Sequence, residues 1–416
     1  MRINSGSAKA EWQLYSSHVC AGSLRLPTNR AVLTLTLVFC CPALLRCSDD
    51  RRAGPSVRLV DSLVLREPDS IDFQSQRTHA FTSTGDVIAE TGTTIRQFDA
   101  RGLLLRSMGR AGNGPGEFNQ ISTVIVLPGD SLVAAVDARR LRIAVFGLDD
   151  AKLRKEIVMK PRFFPGQQRL VVGDTIIMSA KLSAQPFASW TPTTDSMLKW
   201  GPIPQMLFQS TGAYSRGGEP ALAPHDSGWV AVLPGENDLY VLRRNGAPIG
   251  VVPLHAERRV GVPKDLVALD SKMWEASPAR FPASMVLGIH RLPNGQYVLM
   301  HLDTDMDMSK YDPGTGRGWS YKNIRYWASL VSSDLKAMCV DGAIPIDAED
   351  VMLPVFRDST FNLLSRGVRD GTVHTALYSY IVSDQGCTWI PTGAILPPPE
   401  QIEPKQSSPN QPPRKK

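Results

Sequence analysis

The chain has 416 residues and a formal net charge of +6, and it is 42% hydrophobic and 21% charged. That composition supplies a large core and excludes a wholly disordered chain. The charge excess sits at the ends, +4 in residues 1–56 and +2 in residues 395–416, so the neutral stretch 57–394 gives no sign of a nucleic-acid-binding body.

Residues 31–45 form an unbroken apolar run with Arg25 and Arg30 ahead of it and Arg46 closing it. At fifteen residues it is short for a bilayer span of about 20 and fits the apolar core of a secretory signal. The thirty residues ahead of it make a long leading region, which places the expected true start between Gly22 and Ala31. Leu44-Leu45-Arg46-Cys47-Ser48 resembles the cleavage box of bacterial lipoproteins and makes Cys47 the lipidation candidate. Arg46 stands where a small residue is usual, so cleavage by the ordinary signal peptidase is the alternative. The expected organisation is a targeting segment over 1–47, a polar tether over 48–56, a folded body over 57–394 and a Pro-rich disordered tail over 395–416.

The body opens with an edge strand over 57–65 and then repeats itself. Unit one holds Asp86-Val87-Ile88-Ala89, Thr94-Ile95-Arg96-Gln97-Phe98 and Leu103-Leu104-Leu105-Arg106. Unit two follows the glycine-rich Gly109-Arg110-Ala111-Gly112-Asn113-Gly114-Pro115-Gly116. It has short apolar runs at 124–127, 132–136, 143–146 and 156–159, separated by turn residues. Ile95-x-x-Phe98 and Ile143-x-x-Phe146 echo each other 48 residues apart. Unit three centres on Gly173-Asp174-Thr175-Ile176-Ile177-Met178, and a Pro-rich insert over 185–204, flanked by Trp190 and Trp200, is expected to overhang one face. Unit four holds the strands at 228–232 and 238–242, and Asn245-Gly246 signals a type I′ hairpin. Units five and six hold the runs at 294–300 and 326–331, and at 358–364 and 376–382.

A lone four-stranded sheet cannot bury both its faces, so units of about 45–55 residues must stack. Six of them predict an all-β, six-bladed β-propeller of four-stranded antiparallel blades. Ring closure removes exposed sheet edges. It also gives the lone strand at 57–65 a place, completing the last blade beside residues 376–382.

Gly114-Pro115-Gly116-Glu117-Phe118, then Gly129-Asp130-Ser131-Leu132, Asp137 and Arg142-Ile143-Ala144-Val145-Phe146 resemble the NHL-type propeller repeat. More narrowly, the chain resembles the exported six-bladed propeller proteins of bacteria, many of them predicted lipoproteins. The resemblance implies a structural pair in which Asp137, ending one strand, meets Arg142, starting the next. Unit one departs from that pattern, with Glu90 and Arg96 as nearest equivalents, and units three to six match only in their hairpins.

Few residues suggest chemistry. Gly112-x-Gly114-x-Gly116 lacks the spacing of a dinucleotide fingerprint, and Pro115 stands where a P-loop needs Lys, so these glycines serve the turn between blades. Cys339 and Cys387 are disulfide candidates, since an exported protein reaches a compartment where such a bond survives. None of the seven histidines has metal-ligand spacing. His225, His301 and His374, from different units, are the candidates for a zinc or calcium site in a central channel, as some NHL-class propeller lyases have. Asp303-Thr304-Asp305-Met306-Asp307 opens like a calcium loop but has Met308 and Gly314 where that loop needs Gly and Glu, and is expected to be a solvated loop.

The expected function is a non-enzymatic, cofactor-free binding module in the periplasm or cell envelope. It would act as a monomer on a protein, peptide or glycan and touch the membrane only through an N-terminal lipid anchor. The alternative is a propeller lyase or hydrolase with metal in the channel. Sequencing the mature N-terminus tests the later start between about Gly22 and Ala31, and Ile3 or Lys9 in it would overturn that start.

Overall fold

A computed structural model describes residues 53–66, 78–181, 185–201, 219–226, 228–233, 238–258, 280–307, 309–310, 320–346, 353–369 and 372–396. Cys47 and the expected targeting segment lie outside the described residues, as does the tail from residue 397. The described residues form a six-bladed β-propeller. Strand β1 is Ser56–Leu65. Blade one is β2 (His79–Phe81), β3 (Val87–Glu90), β4 (Ile95–Phe98) and β5 (Leu104–Met108). A short ribbon of β6 (Arg110–Ala111) and β7 (Glu117–Phe118) leads to blade two: β8 (Ile121–Val126), β9 (Leu132–Asp137), β10 (Arg142–Gly147) and β11 (Leu153–Val158). Blade three is β12 (Phe164–Val172), β13 (Thr175–Lys181), β14 (Phe187–Thr191) and β15 (Ser196–Trp200). Blade four is β16 (Ala221–His225), β17 (Gly228–Val232), β18 (Asp238–Arg243) and β19 (Pro248–Pro253). Blade five is β20 (Arg280–Arg291), β21 (Tyr297–Asp307), β22 (Ser320–Val331) and β23 (Ala337–Ala343). Blade six is β24 (Pro354–Arg357), β25 (Thr360–Arg369) and β26 (Thr372–Ser383), completed by β1.

The alternation of side chains along a strand explains the stacking. In blade two Val133, Ala135, Ala144 and Phe146 face blade one, while Ala134, Val136, Ile143 and Val145 face blade three. In blade five Tyr297 and Leu299 face blade four, whereas Val298, Met300 and Leu302 face blade six. The core is accordingly a set of seams. Each pair of neighbouring blades shares one buried cluster, including the seam between blades six and one, where Leu65 packs with Val87, Phe98, Leu364 and Leu377.

Closure follows the sequence expectation. β1 runs antiparallel to β26, from Ser56↔Ser383 and Val57↔Val382 to Val64↔Ala376 and Leu65↔Thr375. Past β26 the chain becomes a strap across its neighbours. Cys387 forms a disulfide with Cys339 of β23, with the two Cα atoms 5.8 Å apart. β27 (Ile390–Pro391) adds a fifth strand beside β23. The Thr392 hydroxyl then donates to the Leu335 carbonyl (2.7 Å), and Ile395 exchanges two backbone hydrogen bonds with Val251 of blade four (2.8 and 3.0 Å). The Thr388 amide donates to the Ala53 carbonyl (2.8 Å), so both ends of the body meet at one seam.

Three local expectations change. The described part of the expected insert, 185–201, is no overhang: β14 and β15 occupy it, Trp190 is fully buried between blades two and three, and the Trp200 ring centre lies 5.0 Å from that of Phe187 and 5.9 Å from that of Trp229, residues 202–204 lying outside the described residues. Indole rings fill the wedge between splayed sheets, which favoured burial over display. The acidic run 303–307 belongs to strand β21; Asp303 accepts from Trp327 Nε1 (2.6 Å) and Asp305 from Asn323 Nδ2 (2.7 Å). At Asn245-Gly246 only Gly246 has positive φ (85°), and the register slips between Val241 and Leu242, so the turn is not type I′. The Asn245 side chain instead accepts from the Ala247 amide (3.1 Å).

The disulfide closes a separation of 48 residues, which in the chain-entropy account contributes about 4 kcal/mol. A Cys339→Ser/Cys387→Ser variant should lower the urea midpoint accordingly, with two thiols fewer than the reduced parent; an unchanged midpoint would mean that the strap holds without it.

Candidate functional site in the central channel

The innermost strands β2, β8, β12, β16, β20 and β24 border a channel cavity of about 580 Å³. Every blade contributes to its wall, through Phe81, Val126, Arg169, Leu222, His290 and Phe356 among others.

One irregularity in blade three shapes the interior. On β12 Pro165 pairs with Ala180 and Arg169 with Met178, so Gly166, Gln167 and Gln168 together oppose Ser179. This is a bulge larger than the usual two-against-one type, and bulges are the device by which a strand re-aims its side chains. The bulge leaves backbone N–H groups without ladder partners, and the buried Glu219 carboxylate takes them. It accepts from the Gln167 and Gln168 amides and from the Ser179 hydroxyl (2.9 Å). Gly166 is required there, because a Cβ would collide with Ser179 Oγ and the Glu219 carboxylate.

The bulge sends two long polar side chains towards the other blades. Gln168 Nε2 donates to the Leu287 carbonyl of blade five, where Gly288 leaves room: a Cβ on Gly288 would lie 3.0 Å from Phe356 and 3.5 Å from Gln168 Oε1. Arg169 Nη1 donates to Thr78 Oγ1 (3.0 Å), Thr123 Oγ1 (3.4 Å) and the Gln167 carbonyl (3.3 Å), and Nη2 donates to the His79 carbonyl. Blade three is thereby tied to blades one, two and five. Burial pulls the Arg169 pKa down to about 10, which leaves it a cation at neutral pH. His79 is 1% exposed, and its pKa is pulled to about 3, first by burial and then by the Arg169 charge. His79 Nε2 is buried without a hydrogen-bond partner among the described residues.

The rim is aromatic. His290 stacks on Phe356 with ring centres 4.9 Å apart and planes 7° apart, and its Nε2 lies 3.1 Å from the Asp358 carbonyl. A carbonyl only accepts, so Nε2 carries the hydrogen and Nδ1 is the acceptor of the neutral ring. Burial lowers the His290 pKa against the pull of Asp358. Arg357 lies 5.7 Å over the Phe81 ring and donates to the Ser83 carbonyl (3.3 Å), while the Ser83 amide donates to Asp130 (2.6 Å).

The residues singled out from sequence fall elsewhere. His225 Nδ1 lies 2.7 Å from the Tyr297 hydroxyl, whose pKa burial raises to about 12. His301 is fully buried in blade five with Nε2 3.5 Å from Asp341 Oδ1. His374 lies on β26 opposite Gly367 in blade six. Among the described residues, no three or more His, Cys, Asp or Glu side chains form a group that could hold a metal. Asp137 and Arg142 are cross-strand partners, but their side chains bond separately. Asp137 accepts from the amides of Asn119, Arg139 and Arg140 (2.9–3.0 Å), and Arg142 pairs with Glu156 (2.9 Å) and donates to the Gly114 and Glu117 carbonyls. The turn amides saturate Asp137, which sends Arg142 to the glycine-rich crossover. Its glycines are structural: Gly109, Gly112 and Gly116 all have positive φ.

Sequence reasoning passed over the bulge. Its signal was Pro165-Gly166 inside an apolar stretch, since Gly and Pro within a strand mark bulges and close approaches. Glu219 and Arg169 are 50 residues apart and had no local pattern to connect them.

No family model matches the chain, and no curated protein matches its sequence. Its structure is similar to a candidate exported protein of Bacteroides fragilis, at TM-score 0.51 and 11% identity over 80% of this chain and 97% of that one. It is also similar to a member of the DUF4221 family from Bacteroides vulgatus, at TM-score 0.53 and 10% identity over 80% of this chain and 99% of that one. At such identities the likeness shows the propeller fold alone.

A pH prediction follows from His79. Its folded pKa, about 3, lies below the ordinary 6.5, so between those values the unfolded chain binds more protons. Stability should therefore fall as pH drops through that window, with His79 contributing up to about 1.4 kcal/mol per pH unit. Urea midpoints against pH should show a shallower fall for His79→Gln than for the parent; equal slopes would mean that His79 titrates normally in the fold.

Proposed function

We propose that this protein is an exported binding propeller that takes a small ligand, or the end of a peptide or glycan, into the mouth of its central channel. The observation that carries the reading is the cavity of about 580 Å³, walled by all six blades and crossed by Gln168 and Arg169. A cavity of that size suits a small ligand, and a mostly apolar wall with a few placed polar groups is the usual composition of such sites. The stacked His290–Phe356 pair and Phe81 offer flat faces at the entrance.

Export is supported by the apolar run at 31–45, by the Cys339–Cys387 disulfide and by the structural likeness to the candidate exported protein. Cys47 remains the proposed lipid anchor. The NHL-type relationship rests on the motif residues of unit two. In the metal-dependent alternative, His225 and His301 would have to leave Tyr297 and Asp341, which engage them now.

The test is a screen of peptide and glycan libraries against the mature protein, repeated with Phe356→Ala. A ligand should emerge whose affinity falls about tenfold or more in the variant, while the thermal midpoint moves little. Ligands indifferent to Phe356 would place binding outside the channel. Stoichiometric zinc or calcium, lost in His301→Ala, would favour the enzyme reading instead.

A further inference from the structure

We propose that the ligand of the channel carries a carboxylate, which pairs with Arg169. The inference rests on the channel being the binding site.

Arg169 lines the cavity and is partly exposed to it. Its four acceptors among the described residues are all neutral: two threonine hydroxyls and two backbone carbonyls. No carboxylate of the described residues forms an ion pair with it. Taking a cation out of water costs free energy that neutral acceptors recover only in part, and that an anion at contact recovers further. The four bonds use Nη1 and Nη2, and Nε–H has no acceptor among the described residues. The Nε–Nη2 edge is a fork that a carboxylate matches with two parallel hydrogen bonds.

The rest of the cavity fits such a ligand. Arg357 adds a second cation at the rim, where it meets the Ser83 carbonyl and the Phe81 ring. Asp358 also lines the cavity, but as an exposed residue of the rim, and Glu219 serves the amides of the bulge. Among the charged residues lining the cavity, Arg357 and Asp358 are both exposed at the rim and offset each other, which leaves Arg169 as the one that is not exposed. The stacked His290–Phe356 rings can cover the uncharged body of the ligand. A single anionic group matches a single interior cation. The cavity then selects an organic acid of one or two rings, either free or as the end residue of a chain.

Calorimetry on the intact mature protein tests this with two matched pairs: galacturonate against galactose, and N-acetylphenylalanine against its amide. One acid should bind about tenfold or more tightly than its neutral partner, and which acid does so tells a sugar acid from a peptide carboxylate. The advantage should vanish in Arg169→Gln and shrink in Arg357→Gln. The second variant changes only the rim and guards against loss of folding in the first. A neutral partner binding as tightly as its acid would overturn the carboxylate while leaving the channel as a binding site. Binding by neither acid, or an advantage unchanged in both variants, would overturn it too.

Discussion

Each blade of this protein has two apolar faces, and neither can be left in water. Blade two shows the constraint plainly: β9 from Val133 onward and all of β10 are buried, with alternate side chains committed to opposite neighbours. A sheet of this kind is stable only between two others, so the fold depends on the ring being closed. Closure falls to β1, itself largely exposed, whose final residue Leu65 enters the seam between blades six and one. On the other side of blade six the strap is tied covalently to β23 of blade five and then reaches blade four.

Much of this was legible in the sequence, because it depends on local rules. Short apolar runs between turn residues give strands, their two-residue period gives two buried faces, and the unpaired run at 57–65 gives the closing strand. The Cys339–Cys387 bond followed from the expectation of export, under which two late cysteines can pair. Elements decided by distant neighbours were harder to read. Trp190 and Trp200 looked like loop aromatics because proline surrounds them, yet the wedge between blades claimed both. The acidic run 303–307 looked like a loop because charge is rare in strands, yet β21 continues through it, with Thr304 and Asp307 buried and Asp303 and Asp305 each accepting a hydrogen bond from β22. Asp137 and Arg142 are adjacent as the repeat implies, but nearer backbone partners outcompeted the ion pair.

The candidate site was hidden for a related reason. It comes from a departure from the repeat. Six nearly equivalent inner strands would line the channel with short, similar side chains. The bulge of blade three breaks that equivalence, and a single buried carboxylate, Glu219, makes the break tolerable by accepting its loose amides. Gln168 and Arg169 project as a result, and they bring polarity into a ring otherwise built from apolar seams. The two side chains that the bulge projects thus come from one blade, and they meet groups of the others.

The meeting of Ala53 with Thr388 has a mechanical side. Tension arriving along the chain from upstream would first meet the Ala53 carbonyl bond, then Gly54 and Pro55 packed closely against Val340 and Gly342 of β23, and only afterwards the β1–β26 ladder. The Cys339–Cys387 bond ties that strand to the strap beside it. Load would therefore spread into blade five before it could peel the closing strand, and the propeller could be held by its leading end without being opened by it.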